Sequence, residues 1–180
     1  MFELPPVIGE APRSISDVYR GLASDARRNR LIVDDIRTAI VAGRSPLVLT
    51  ERREHLAILA EQLRDAGEVV VLRGGMKAAE QCATNAALHA ATDRPRIVLS
   101  TGRYLGERFD DPRLDTLFPA MPVACRGTLT QYVGDLHRER VGKRDVLMYD
   151  YVDGLVPVRA GMGAKRQTGY RALGYAIAAR

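Results

Sequence analysis

Five short apolar runs, residues 47–50, 69–72, 97–100, 116–121 and 146–149, alternate with longer stretches whose apolar residues recur at helical spacing. Neighbouring parallel strands can be joined only by a crossover of a dozen or more residues, so this alternation is the pattern of repeated strand–helix–strand units. Both alternating sets of positions in the runs are apolar, which requires each strand to be covered on two faces. Pro119, inside the fourth run, has no N–H for a ladder and is tolerated only at an edge or a bulge. The expected fold class is therefore α/β: a parallel sheet of about five strands with helices on both faces, preceded by a helical pair and followed by a C-terminal helix.

The flanking segments have their own signals. Residues 1–13 contain Pro5, Pro6 and Pro12 without periodicity and read as an extended arm. Ser14 or Ser16 caps a first helix whose Ile15, Val18, Tyr19 and Leu22 share one face; a second carries Ile32, Ile36 and Ile40 and stops at Gly43, ahead of Pro46. Residues 14–43 form a helical extension within a single domain spanning 14–180. Thr50 is expected to cap the next helix, with Glu51 and Glu54 in its first turn, Leu56, Leu59, Ala60 and Leu63 on its buried face and Gly67 at its end. Residues 77–91 form another, whose small-residue face of Ala79, Ala83, Ala86 and Ala90 suits close packing on the sheet. Thr128 caps a helix running to about Arg140, and a last helix occupies residues 164–178.

Composition narrows the class without naming a chemistry. In 180 residues, 46% apolar and 27% charged content excludes disorder. The net charge of +5 favours polyanionic partners only mildly, since the basic residues are spread along the chain. Cys82 and Cys125 have no C-x-x-C spacing and His55, His89 and His137 lie far apart, so no zinc site is expected and the thiols should be reduced and buried in a cytoplasmic protein. No apolar run approaches the roughly twenty residues of a membrane span.

The helix after Thr128 carries the most information. Leu129, Tyr132, Val133 and Leu136 must face the core, which places Gln131, Asp135 and Arg138 on one polar stripe. Gly134 interrupts this helix at a cost of about 1 kcal/mol relative to alanine, a cost justified by close approach of another backbone or of a phosphate. His137 reads as a partly packed helix residue, and Tyr104 and Phe109 as core aromatics.

The octapeptide Gln131-Tyr132-Val133-Gly134-Asp135-Leu136-His137-Arg138 resembles motif VI of superfamily 2 helicases, Q-x-x-G-R-x-[GH]-R. Residues 100–110 resemble motif V, residues 46–52 the strand and turn of motif IV, and Arg73-Gly74-Gly75 the loop after the following strand. In order and spacing the resemblance covers residues 45–153 and continues through residues 170–175, as in bacterial DEAD/DEAH-type helicases related to type III restriction subunits. It implies a RecA-like sheet acting as the second motor domain of an ATP-dependent helicase or translocase. ATP with Mg is then held mainly by an N-terminal RecA-like domain of the same parent chain, because the sequence has neither a P-loop nor an Asp-Glu pair.

On this resemblance Arg138 acts as an arginine finger on the γ-phosphate and Gln131 bonds the phosphate or the opposite domain. Gly106, Asp110, Gly134 and Arg138 line the nucleotide. Thr50, Arg52, Arg73, Gly74, Thr101 and Gly102 contact the phosphates of a single- or double-stranded nucleic acid, with DNA expected. Asp135 replaces the family's arginine, and Arg108 a glycine of motif V. Both departures favour a second reading, a non-catalytic nucleic-acid-binding or interaction module that retains the shape alone. A third, a Rossmann-like enzyme binding a nucleotide unaided, lacks the glycine-rich loop, since Arg166 stands where the third glycine belongs. From the missing P-loop, the isolated chain is expected to hydrolyse no ATP; turnover co-eluting with the purified protein overturns that expectation.

Overall fold

A computed structural model describes residues 14–101, 111–122, 134, 136–137, 143, 145–151, 167–172 and 174–178. Helices α1 (Ile15–Ser24) and α2 (Ala26–Val41) lead into strand β1 (Pro46–Thr50), followed by α3 (Arg53–Leu63), β2 (Glu68–Leu72), α4 (Ala78–His89), β3 (Arg96–Thr101), β4 (Thr116–Pro119) and β5 (Leu147–Met148). The arm of residues 1–13 and residue Cys125 lie outside the described residues.

Capping chemistry sets the helix ends. The Ser14 hydroxyl accepts the Asp17 N–H at 3.2 Å, and the Asp25 carboxylate accepts the N–H groups of Arg27 and Arg28, each at 3.0 Å. These bonds satisfy donors that have no partner inside the helix. At the far end of α2, Gly43 takes a φ of 76°, and Arg44 N–H reaches back to the Ala39 carbonyl at 3.0 Å, so the chain turns directly into β1. The second helix thus stops where its glycine predicts.

All pairings in the sheet are parallel, in the order β2-β3-β1-β4-β5. Alternate residues serve opposite faces. Val48, Ile97, Leu99 and Phe118 meet Ile32 and Ile36 of α2 and Leu56, Leu59 and Leu63 of α3. Leu47, Leu49, Val70, Leu72, Val98 and Leu117 form the other layer, with Leu88 of α4 and Leu136. The sheet is covered on two faces as its apolar strands require.

Pro119 is the last residue of β4. The Leu117 carbonyl accepts Tyr149 N–H from the β5 side, and residue 119, two positions on, turns its nitrogen the same way, past the end of the two-residue β5. Contrary to expectation the proline is in an interior strand without a bulge; it supplies no N–H for a further rung, and the pairing with β5 ends there.

Three expectations are corrected. Ala79, Ala83, Ala86 and Ala90 do not face the sheet; all four are exposed, and α4 seats through Leu88 with Ala87 half-buried beside it. One leucine buries more apolar area than several methyl groups, and Ala86 and Ala90 lie about 200° around the helix from it. Cys82 falls on that outer side and is exposed rather than buried. Gly67 does not end α3, which stops at Leu63. Its role is close approach: a Cβ there would lie 2.3 Å from the Pro95 carbonyl oxygen, which accepts Glu68 N–H at 2.8 Å and so starts the β2–β3 pairing.

Of the two later helices, Gly134 and Leu136 are helical, as are residues 167–172; the last helix does not reach residue 178 as expected, because Gly174 at φ 85° closes it with Tyr175 N–H on the Tyr170 carbonyl at 3.0 Å, and residues 175–178 are not helical. Among the described residues no helix is long and apolar enough to cross a membrane. Gly67→Ala is expected to destabilise the fold by about 1–3 kcal/mol through backbone overlap, measured by urea unfolding; a loss under about 0.5 kcal/mol shows that the Pro95 loop yields without cost.

Candidate nucleic-acid interface

Parallel strands point the same way, so their C-terminal ends gather on one rim. The order β2-β3-β1 places three separate chain segments side by side there: Arg73 and Gly74 after β2, Thr101 at the end of β3, and Thr50 and Arg52 at the end of β1. Thr50 and Thr101 are register partners. Crevices outside the carboxyl ends of strands are where open α/β sheets bind ligands.

Among the described residues, three arginines on this rim are held by neighbours. The Arg52 guanidinium donates to the Ser16 carbonyl and to the Ser16 hydroxyl, both at 2.8 Å, which fastens the turn after β1 to α1. Arg53 donates to the Gly74 carbonyl at 2.7 Å and so ties the turn after β1 to the loop after β2. Arg73 pairs with Glu80 of α4 at 2.6 Å. Arg52 and Arg53 bond to neutral oxygens and keep their charge for an anion. The Arg73 pair is half-exposed, and such pairs hold by only about 0–1 kcal/mol, so a phosphate can displace the carboxylate at small cost.

Beneath the rim lies a buried polar line. Thr50 and His55 are 2% and 0% exposed, with Thr50 Oγ1 2.9 Å from His55 Nδ1. His55 Nε2 lies 2.9 Å from Asn29 Oδ1, and Asn29 Nδ2 donates to the Ala23 carbonyl at 2.8 Å. Arg28, 1% exposed, donates to the Ala120 carbonyl at 2.6 Å after β4, with its guanidinium 5.7 Å from the centre of the Tyr151 ring. Tyr151 donates its hydroxyl to Asp35 at 3.3 Å. Desolvation, then the nearby Arg28 charge, lowers the His55 pKa from 6.5 to about 4. Burial, followed by the Asp35 carboxylate, raises that of Tyr151.

No family model and no curated protein matches the chain. Solved structures do. T4 UvsW superposes with a TM-score of 0.68 at 12% identity over 89% of this chain and 35% of that one. The C-terminal part of the Fun30 ATPase domain gives 0.57 at 13% identity, over 84% and 55%. Domain 2 of the Mss116p DEAD-box helicase, solved bound to an RNA duplex, gives 0.54 at 13%, over 71% and 49%.

The fold is that of a RecA-like helicase domain.

The chain spans about a third of the UvsW chain and just over half of the Fun30 one. Within this RecA-like sheet the nominated residues divide into two groups. Arg52, Arg73, Gly74 and Thr101 sit together on the rim. Thr50 is on it too, but its side chain is not offered outward. The Thr50 hydroxyl bonds His55 and accepts Arg52 N–H at 3.3 Å; it does not cap α3, whose N-cap is Arg52 without a side-chain cap bond. A buried imidazole claims the hydroxyl before the helix end can.

Gly134 is exposed, with no atom within 4 Å of where a Cβ would stand, so approach of another backbone is not its justification among the described residues. Leu136 is 1% exposed in the second core layer, and exposed His137 lies 3.0 Å from the Tyr175 hydroxyl. Gln131, Arg138, Gly102, Gly106 and Asp110 lie outside the described residues, as do Asp135, Arg108, Tyr104 and Phe109. The described residues contain no cluster of three potential metal ligands.

Sequence reading missed Arg28, Asn29 and His55. The signal was there: Arg28 and Asn29 stand four residues before Ile32 and Val33, and His55 four before Leu59, so all three continue buried helical stripes.

The folded chain keeps His55 neutral where the unfolded chain protonates it. The His55 contribution to stability is therefore expected to be present above about pH 6.5 and to fall by roughly 3 kcal/mol as the pH drops toward 4. Unfolding free energies across that window should show this slope in the wild type and lose most of it in His55→Gln; equal slopes exclude His55 as its source.

Proposed function

We propose that this chain is the second RecA-like domain of an ATP-dependent nucleic-acid helicase or translocase. In this reading it offers one rim of its sheet to the sugar-phosphate backbone and motif VI to a nucleotide held by a first RecA-like domain of the parent chain. The observation that carries the reading is the gathering of Arg52, Arg73, Gly74 and Thr101, from three distant segments, on the C-terminal ends of three adjacent strands. Positive groups and exposed loop backbone aligned along one edge suit a repeating phosphate chain, and such contacts position a strand without reading its bases.

The open space over Gly134 fits approach of an anionic group, and Arg138 and Gln131 would meet the triphosphate of Mg-ATP, which supplies the energy of phosphoryl transfer when bound. The chain's own part is to bring a fixed planar charge to that group and to hold the strand. The alternative, a binding module without a motor, rests on Asp135 and Arg108 and shares the same rim. In the parent chain, loss of ATPase and strand separation in Arg138→Ala supports the motor, and unaffected rates support the module.

For both readings the isolated chain should bind single strands weakly, with log affinity falling against log salt by about 0.7 per phosphate neutralised. Arg52→Ala and Arg73→Ala should each reduce that slope by about 0.7 in a fluorescence-anisotropy titration. Salt-independent binding excludes phosphate contacts on the rim.

A further inference from the structure

We propose that His55 is a positioning residue: as the neutral Nε2–H tautomer it locks the turn after β1 to the α1–α2 pair through a one-way chain of hydrogen bonds. The inference rests on the rim being the nucleic-acid interface, and it assigns the element that shapes it.

The direction of every link follows from its neighbours. The Ala23 carbonyl can only accept, so Asn29 must turn its amide nitrogen toward it and its oxygen toward the imidazole. That oxygen also only accepts, so the proton sits on His55 Nε2. A neutral ring then has a lone pair on Nδ1, and the Thr50 hydroxyl must donate to it. Having donated, the Thr50 oxygen is left to accept the backbone N–H of Arg52. The line runs from Ala23 at the end of α1, through Asn29 of α2 and His55 of α3, to the end of β1 and the turn beyond it.

A ring protonated on both nitrogens, or on Nδ1 alone, confronts Thr50 with a donor and breaks this polarity. Burial of the ring, and then the Arg28 charge on α2, oppose the extra proton. Arg52 is thus fixed twice by the helical pair: its backbone through Thr50, His55 and Asn29, and its guanidinium through Ser16. Residue 52 can present its charge to a strand in one orientation only while both ties hold.

The test uses the full 180-residue chain near neutral pH: imidazole 15N NMR, with the His55 signals identified by their absence in His55→Gln, hydrogen exchange at the Arg52 amide, and single-strand binding. The wild-type ring is expected to show a protonated Nε2 and an unprotonated Nδ1, a measurement that needs no variant. Thr50→Val should speed Arg52 exchange by about tenfold, leave the Val98 and Leu99 amides unchanged and weaken strand binding about fivefold, with Thr50→Ser restoring both. A proton on Nδ1, or unchanged Arg52 exchange in Thr50→Val, overturns the relay. A released amide with unchanged affinity overturns its positioning role. A wild-type chain that binds no strand overturns the proposed function, and the nitrogen and exchange readouts then decide the relay by themselves.

Discussion

Parallel pairing is the constraint on which the remaining structure depends. Parallel strands cannot be joined by tight turns, and among the described connections α3 and α4 run between successive strands and cover the sheet. The same geometry sends every strand's carboxyl end to one rim. Residues far apart in the chain, Arg52, Arg73 and Thr101, become neighbours there without any need to touch during local folding. The opposite rim is closed differently, by ion pairs such as Arg44 with Asp145 at 2.6 Å and Arg96 with Glu68 at 2.9 Å. Arg73 pairs with Glu80 on the strand-end rim as well, but Arg52 and Arg53 there bond to neutral oxygens.

The helical pair before β1 is part of the domain rather than an appendage. Ile32 and Ile36 are 0% exposed in the core layer of α3 and the sheet, and Tyr19 donates to the Pro122 carbonyl at 3.3 Å beyond β4. Polar residues continue the same buried stripe. Burying Asn29 and His55 is tolerable because their polar atoms face oxygens or ring nitrogens with defined donor and acceptor roles, and such groups specify one arrangement where apolar contacts alone would permit several; Arg28 joins them through Nη1 on the Ala120 carbonyl and the Tyr151 ring. The helical pair is thereby tied by hydrogen bonds to the turn after β1.

Much of the scaffold was legible because it is written in local periodicity. The five apolar runs lie within a residue or two of the observed strands, and Gly43 ends α2 where expected. Expectations failed where a residue's role depends on something distant in sequence. Gly67 looked like a helix end and is a seat for the Pro95 carbonyl. Thr50 looked like a cap and is a link to His55, because the imidazole from the first turn of α3 reaches it before the helix end does. The alanines of α4 looked like a packing face, yet Leu88 alone sets the rotation of that helix.

By itself the sequence determined the alternation of strands and crossovers and the two-faced core, because periodicity, caps and turn residues act within a few positions of one another. Tertiary structure alone decided which strands adjoin, and hence that β2, β3 and β1 share an edge. It also decided that a histidine, an asparagine and an arginine on two helices meet beneath that edge. The reason is physical: strand order and buried hydrogen bonds are settled by which surfaces cover one another in three dimensions, and no local pattern encodes that choice.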